Sequence, residues 1–179
     1  MSRTVIFKSD IHYFVACLTE DCTVNLASFG YDDSTKYGYI RTSGGSSLDI
    51  YVHGQHHRYR GVNLVELDAT TCKVRRKHHF DTHSNADDRV QFLEALESAT
   101  TGSIIVGVTA DTPENEDNFA FKNIAASFFR RYGMTLTGQL FREKFAFILQ
   151  KGYPKKTLFR KSPRYGESLR LSVALSGKP

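Results

Sequence analysis

Arg60, Asp111 and Arg142 are the residues of this chain whose types and placement best suit recognition chemistry. Each falls at the end of a predicted element, where a scaffold holds a side chain without burying it in the core. Arg60 precedes the apolar run Gly61-Val62-Asn63-Leu64-Val65-Glu66-Leu67, Asp111 follows the run Ser103-Ile104-Ile105-Val106-Gly107-Val108, and Arg142 stands before Phe145-Ala146-Phe147-Ile148-Leu149. A carboxylate accepts hydrogen bonds only, and a guanidinium donates them in a fixed planar fork. Charged residues at strand ends are also ordinary solvated surface, so placement alone argues only weakly for a site. Asp81 and Asp111 could form paired carboxylates, but a chain with 19 acids offers many such pairs. No nucleophile elbow, HExxH, phosphate loop or dinucleotide fingerprint occurs, and the expectation is a protein without catalysis.

Seven histidines invite a metal reading, with His53, His56 and His57 ahead of Arg60 and His78, His79 and His83 around Asp81. Neighbours on a strand point to opposite faces, so His78 and His79 cannot both serve one ion without distortion. No metal and no cofactor is expected.

The elements that must position these residues follow from pattern. Short β-rich runs fill the first third, at His12–Leu18, Thr23–Leu26, Lys36–Ile40 and Leu48–Val52, separated by turn chemistry such as Asp32-Asp33-Ser34 and Ser43-Gly44-Gly45-Ser46. Strands are predicted over Gly61–Leu67 and Lys73–Phe80, joined by a turn through Asp68. A helix is predicted to start near Ser84, with Asp87 three residues on, and to bury Val90, Leu93 and Leu96. The almost wholly apolar run from Ser103 reads as the central strand. Asp117 or Asn118 can cap a second helix with a stripe of Phe121, Ile124, Ala125, Phe128 and Tyr132, ended by Gly133. Phe145–Leu149 returns to the sheet, and Leu169, Leu171, Val173 and Leu175 alternate with polar or small residues as a strand with one buried face. The pattern is α+β, strands first and helices packed on a mixed sheet afterwards.

Length fits one domain with an extension, taken as residues 1–152 and a basic segment 153–179 with a strand in it. The net charge is +5, yet Lys151–Pro179 holds eight Lys or Arg against the single acid Glu167, leaving about −2 for the rest. Without a basic stripe on the body, a nucleic-acid partner is not expected. No apolar run approaches the ~20 residues of a membrane span, so membrane insertion is not expected either. The start of the chain does not read as a secretory signal. Of Cys17, Cys22 and Cys72, at least one lacks an intrachain partner; a Cys17 to Cys22 loop and idle thiols are both open.

Arg60-Gly61-Val62-Asn63, Phe80-Asp81-Thr82, Gly102-Ser103-Ile104-Ile105-Val106, Asp111, Arg142, Phe145-Ala146-Phe147-Ile148 and Lys151-Gly152, in that order, resemble the ILEI/PANDER domain. The resemblance spans roughly Leu48 to Gly152. That family includes secreted cytokine-like proteins and the stem domain of protein O-mannose N-acetylglucosaminyltransferase. The resemblance implies two β-sheets packed together and flanked by helices, with no catalytic activity. It also implies a sugar site in which Arg60, Asp111 and Arg142 stand at the contact positions, with Phe141 and Glu143 as possible additional contacts. The stem domain has a tryptophan beside its second arginine, where this chain offers Phe141 and Phe145; the secreted members carry disulfides that three cysteines cannot fully reproduce. An Asp111 to Arg142 ion pair that merely closes the pocket mouth is the competing reading. The expected function is a lectin for N-acetylglucosamine or a related hexose, its partners glycans or glycoproteins, and the alternative is a cytokine-like or scaffolding protein-interaction domain. A shallow site gains by avidity, so a homo-oligomer is expected, with Ser168–Ser176 either joining a neighbour's sheet edge or closing its own domain. The family suggests an extracellular or secretory location, and cytoplasmic storage is the other possibility.

Overall fold

The computed structural model describes residues 13–14, 22–51, 59–116, 120–138, 140–162 and 167–176. Along the chain these form β1 (Tyr13–Phe14), β2 (Cys22–Gly30), β3 (Tyr37–Thr42), β4 (Ser47–Tyr51), β5 (Gly61–Leu67) and β6 (Val74–Phe80). There follow α1 (Ala86–Ser98), β7 (Ile104–Asp111), α2 (Ala120–Arg131), β8 (Lys144–Gln150), β9 (Tyr153–Ser162) and β10 (Leu169–Ser176). The α+β expectation holds at that level. Most of the predicted run His12–Leu18, the cap at Asp117 or Asn118 and the histidines from His53 to His57 lie outside the described residues.

Hydrogen bonding joins all ten strands into one mixed sheet. One half runs β1-β10-β2-β3-β4 and the other β6-β5-β7-β8-β9. β2 belongs to both: after pairing antiparallel with β3 and β10, its last residues Phe29 and Gly30 run parallel to Ala110 and Asp111 of β7. They do so beyond Val108, where the pairing of β7 with β8 ends.

β7 is buried along its whole length, as its apolar run predicts for a central strand. Alternate residues serve opposite faces. Val106, Val108 and Ala110 join a core shared with Val24, Leu26, Ile40, Val65, Ile148 and Val173, drawn from both halves of the sheet. Ile105, Phe145, Phe147 and Leu149 face the helices and meet Phe92, Phe121, Phe128 and Phe129. Aromatic pairs tie this second core together, the Phe129 and Phe147 rings meeting edge to face at 5.2 Å.

Both helices form, with corrections of detail. The N-cap of α1 is Asn85, not Ser84: its side chain accepts from the Asp87 and Asp88 amides. That start turns Phe92 and Leu96 inward and leaves Val90 exposed. The reason is volume, since Phe92 fills the aromatic core that the shorter Val90 would leave open. α2 buries Phe121, Ala125, Phe128 and Phe129 and ends as expected at Gly133, with φ +70°. There the Gly133 and Met134 amides bond back to the Arg130 and Phe129 carbonyls, closing the helix.

Two further findings concern the ends of the chain. Cys22 is bonded to Cys72, not to Cys17, linking the start of β2 to the turn between β5 and β6. Both partners are buried in the core shared by the two halves, contacts that spacing along the chain could not reveal. The basic segment after Gly152 is built into the sheet: β9 pairs with β8, and β10 lies between β1 and β2. The strand expected near Ser168–Ser176 therefore pairs along β2 within its own domain, with Val173 and Leu175 in the core.

Candidate functional site

The strand register gathers the three singled-out residues at one end of the sheet. Gly61 opens β5 opposite Ala110, so Arg60 and Asp111 are the next residues outward on the two strands. Gly30 of β2 lies beside Asp111 on the other flank. Arg142 joins them through its backbone, its amide donating to Thr112 Oγ1 at 2.9 Å.

Arg60 depends on the glycine that follows. Gly61 has φ +99°, and a Cβ there would sit 2.2 Å from the Phe80 carbonyl oxygen, so no other residue fits the turn that brings Arg60 to the end of β6. There Arg60 Nε donates to Asp81 Oδ1 at 3.0 Å, and Nη2 donates to Asp81 Oδ2 at 2.7 Å and to Ser84 Oγ at 2.6 Å. Nη1 takes no part in these bonds. Burial pushes the Asp81 carboxyl up, but the Arg60 bonds and charge, the Ser84 amide and His83 together outweigh it and hold the carboxyl below its ordinary value. Asp81 thus keeps Arg60 in a fixed orientation, as a bidentate partner does.

Asp111 and Arg142 share a rarer property. Both have left-handed backbone, with φ +66° and +59°, a region that non-glycine residues seldom occupy. Asp111 is buried and Arg142 half-buried. The loop after β7 is tied down on every side: Thr82 Oγ1 donates to the Pro113 carbonyl, and Thr112 Oγ1 to that of Glu114. Glu114 accepts from the Lys122 amide with one oxygen and from the Leu140 amide with the other. Burial pushes its carboxyl above the usual range despite those donors.

Arg142 pairs with Asp32, Nη1 to Oδ1 at 3.5 Å. Its guanidinium carbon lies 4.1 Å from the centre of the Tyr31 ring and 4.9 Å from that of Phe141. Tyr31 is 46% exposed and adds an aromatic residue to the sheet end, where the sequence offered only Phe141 and Phe145, and its ring carries Lys36 Nζ at 5.2 Å as well as Arg142. Phe145 is instead fully buried in the aromatic core. Glu143 turns away to pair with Lys161 of β9.

Beneath this layer, Lys144 Nζ meets Asp33 Oδ1 at 2.6 Å, both side chains being buried. The other Asp33 oxygen accepts from the Gly30 amide at 3.0 Å. The pairs Asp32–Arg142 at the surface and Asp33–Lys144 below it thus clamp the β2–β3 turn to the start of β8 and the loop before it. Sequence reasoning missed Tyr31, Asp32, Asp33 and Lys144; the adjacent acids after an aromatic residue were the available signal, but they read equally as turn chemistry.

Among the described residues, no three His, Cys, Asp or Glu side chains converge as metal ligands, and no helix is long and apolar enough to cross a membrane. The sheet end thus carries two arginines, each held by a carboxylate, beside one partly exposed ring, and Asp111, expected to stand unburied at its strand end, is instead 4% exposed because the loop after β7 folds over it.

These features define a β-rich α+β domain that gathers its charged loop residues at one end of a mixed sheet. The family model described as Interleukin-like EMT inducer matches residues 60–153, more than half of the chain, and the chain belongs to that family. The match opens on Arg60 and takes in Asp111 and Arg142. No curated protein matches the chain.

Proposed function

We propose that this protein is a non-catalytic carbohydrate-binding domain whose site is the sheet end formed by Arg60, Asp111 and Arg142, with N-acetylglucosamine or a related hexose as ligand. The observation that carries the reading is the left-handed backbone at both Asp111 and Arg142. Such a conformation costs a non-glycine residue about 1–2 kcal/mol, and strain of this kind collects at ligand sites. Arg142 is thus held in a conformation that local preference opposes, Asp111 in one that aspartate tolerates better, and the remaining described case, Cys72, lies in the disulfide turn. Charged hydrogen bonds contribute about 1.5–3 kcal/mol each, enough for a specific but weak site. Tyr31, partly exposed with Arg142 and Lys36 over its ring, supplies a phenolic hydroxyl that can donate to or accept from a sugar hydroxyl.

In this reading the sheet folds across β2 into the two packed layers that the family resemblance implies, and the shared core drawn from both halves supports that. The Cys22–Cys72 bond supports a secretory or extracellular location, because disulfides persist in oxidising compartments. Clustering several sites in a homo-oligomer would raise avidity by about 10²–10⁴. Light scattering on the full chain tests that assembly, and a monomer removes it from the proposal.

A glycan array tests the site, with wild type compared to Asp111→Asn. Asparagine tolerates left-handed backbone and preserves shape, so the variant separates lost charge from lost fold. The expected outcome is glycan binding by the wild type in the presence of chelator, and loss of it in a variant with an unchanged melting temperature. Absence of binding by the wild type, or full binding by a folded Asp111→Asn, overturns the assignment.

A further inference from the structure

We propose that β6 is a docking edge for an acidic, extended peptide, which adds to the sheet as a further strand. β6 ends the sheet: among the described residues it pairs with β5 alone. Its sequence, Val74-Arg75-Arg76-Lys77-His78-His79-Phe80, has no acid, and Lys73 precedes it. Arg75, Arg76 and Lys77 are exposed. An edge strand offers backbone donors and acceptors to any incoming strand, and its side chains select which strand is accepted.

Charge selects against a second copy of this chain. Every residue from Arg75 to His79 is Arg, Lys or His, so any self-pairing within that stretch, parallel or antiparallel, sets basic side chains opposite one another. Like charges directly opposite destabilise a ladder, and opposite charges stabilise it. The complementary occupant is therefore acidic.

The distribution of the cations favours a peptide strand over a polyanion lying on the surface. His78 stacks on Phe80, whose ring faces the helix-side core, and Arg76 shares their face near Glu66. Lys77 reaches the Ser47 carbonyl and His79 the Arg60 carbonyl on the opposite face. A chain laid on one face would meet half of these groups. A strand added at the edge projects side chains alternately to both faces and meets them all. This inference rests on the edge alone and is independent of the sugar site.

The test uses the full-length protein and a labelled synthetic peptide rich in Glu, Thr and Val, followed by fluorescence anisotropy and amide hydrogen exchange. The expected result is saturable binding with slowed exchange at Arg76–His79. Methylating alternate backbone nitrogens of the peptide, which keeps its charge but blocks the ladder, should weaken binding by about tenfold or more. The double variant Arg76→Glu, Lys77→Glu should weaken it by about tenfold. Equal binding of the methylated peptide overturns the proposal in favour of a simple polyanion surface. So does a sulfated oligosaccharide that displaces the peptide while wild-type exchange stays unchanged. No binding of the peptide to the wild type, or crosslinking of two copies through β6, also overturns it. Because exchange is read on the wild type, a variant that fails to fold does not decide the matter.

Discussion

Arg142 is where local preference and tertiary demand conflict most directly, since its left-handed φ of +59° is imposed by the turn from Leu140 to Glu143 and the Thr112 contact. Arg142→Ala and Arg142→Gly both delete the Asp32 pair and the Tyr31 contact, but only glycine accepts that backbone without steric cost. The glycine variant is expected to be the more stable of the two by about 0.5–1 kcal/mol in urea denaturation, after allowing for its greater freedom when unfolded. Equal stability, or a more stable alanine variant, would remove the argument from strain. At this scale the sequence revealed the three candidate residues but not the groups that hold them. Arg60, Asp111 and Arg142 stand at element ends, which alone argues only weakly, and the family resemblance is what singled them out. Lys144 does not stand out, because Arg142-Glu143-Lys144 reads as surface charge, and its partner Asp33 is 111 positions away. A buried ion pair is a property of the packed molecule; its desolvation cost is offset only by a partner that the chain brings from elsewhere.

Elements were legible where one face is apolar and the period is clear. β7, β5, β8 and α2 announce themselves because burial imposes a pattern on their sequence. α1 was found with one residue of its buried stripe misplaced: Leu96 is buried and Leu93 packs against the core, but Val90 is exposed and the aromatic partners Phe80, Phe121 and Phe129 select Phe92 instead. β9 was not found. Pro154 and four cations make it read as a tail, and of its ten residues only Leu158 is buried. Edge strands carry such residues because one side meets solvent. The consequence is a prediction about truncation. A chain ending at Gly152 loses the strand that covers β8 and the one that covers an edge of β2, along with Leu158, Val173 and Leu175 from the core. It is expected to lack the cooperative thermal unfolding of the full chain, read by circular dichroism. A cooperative melt in the truncated chain would show that 153–176 is an appendage after all.

For the whole molecule, two linkages set the conditions under which the fold persists. The first is acid. Asp68 is drawn down to about 2 by the Thr71 amide, Arg75 and the Thr70 amide, and Asp49 is lowered by bonds from Tyr37 and Arg41. Asp81 and Glu97 are also lowered: burial raises each, but the arginines beside them prevail, with Lys151 aiding at Glu97. A carboxylate lowered by folding contributes stability that is present above its ordinary value, 3.8 for Asp and 4.5 for Glu, and lost as pH falls through its folded value. Glu114, which is raised, acts with the opposite sign, so that acid relieves its cost. With four lowered groups against one raised, denaturant stability should fall as pH drops from about 5 toward 2, and Asp68→Asn should flatten the lowest part of that curve. A rise in stability over that range would mean that Glu114 dominates. The second linkage is redox. Cys22–Cys72 closes a separation of 50 residues between the start of β2, the strand common to both halves of the sheet, and the turn that joins β5 to β6. Loop-closure entropy for a ring of that size gives about 4 kcal/mol, a large share of the roughly 5–15 kcal/mol by which a domain is stable. Reduction, or the double change Cys22→Ser and Cys72→Ser, is expected to lower the urea midpoint by a corresponding amount. The two treatments should agree, because the serine chain, like the reduced one, lacks the constraint on its unfolded state. A serine variant as stable as the oxidised protein would mean that packing of β2 against β10 and β3 alone sets the stability of the sheet.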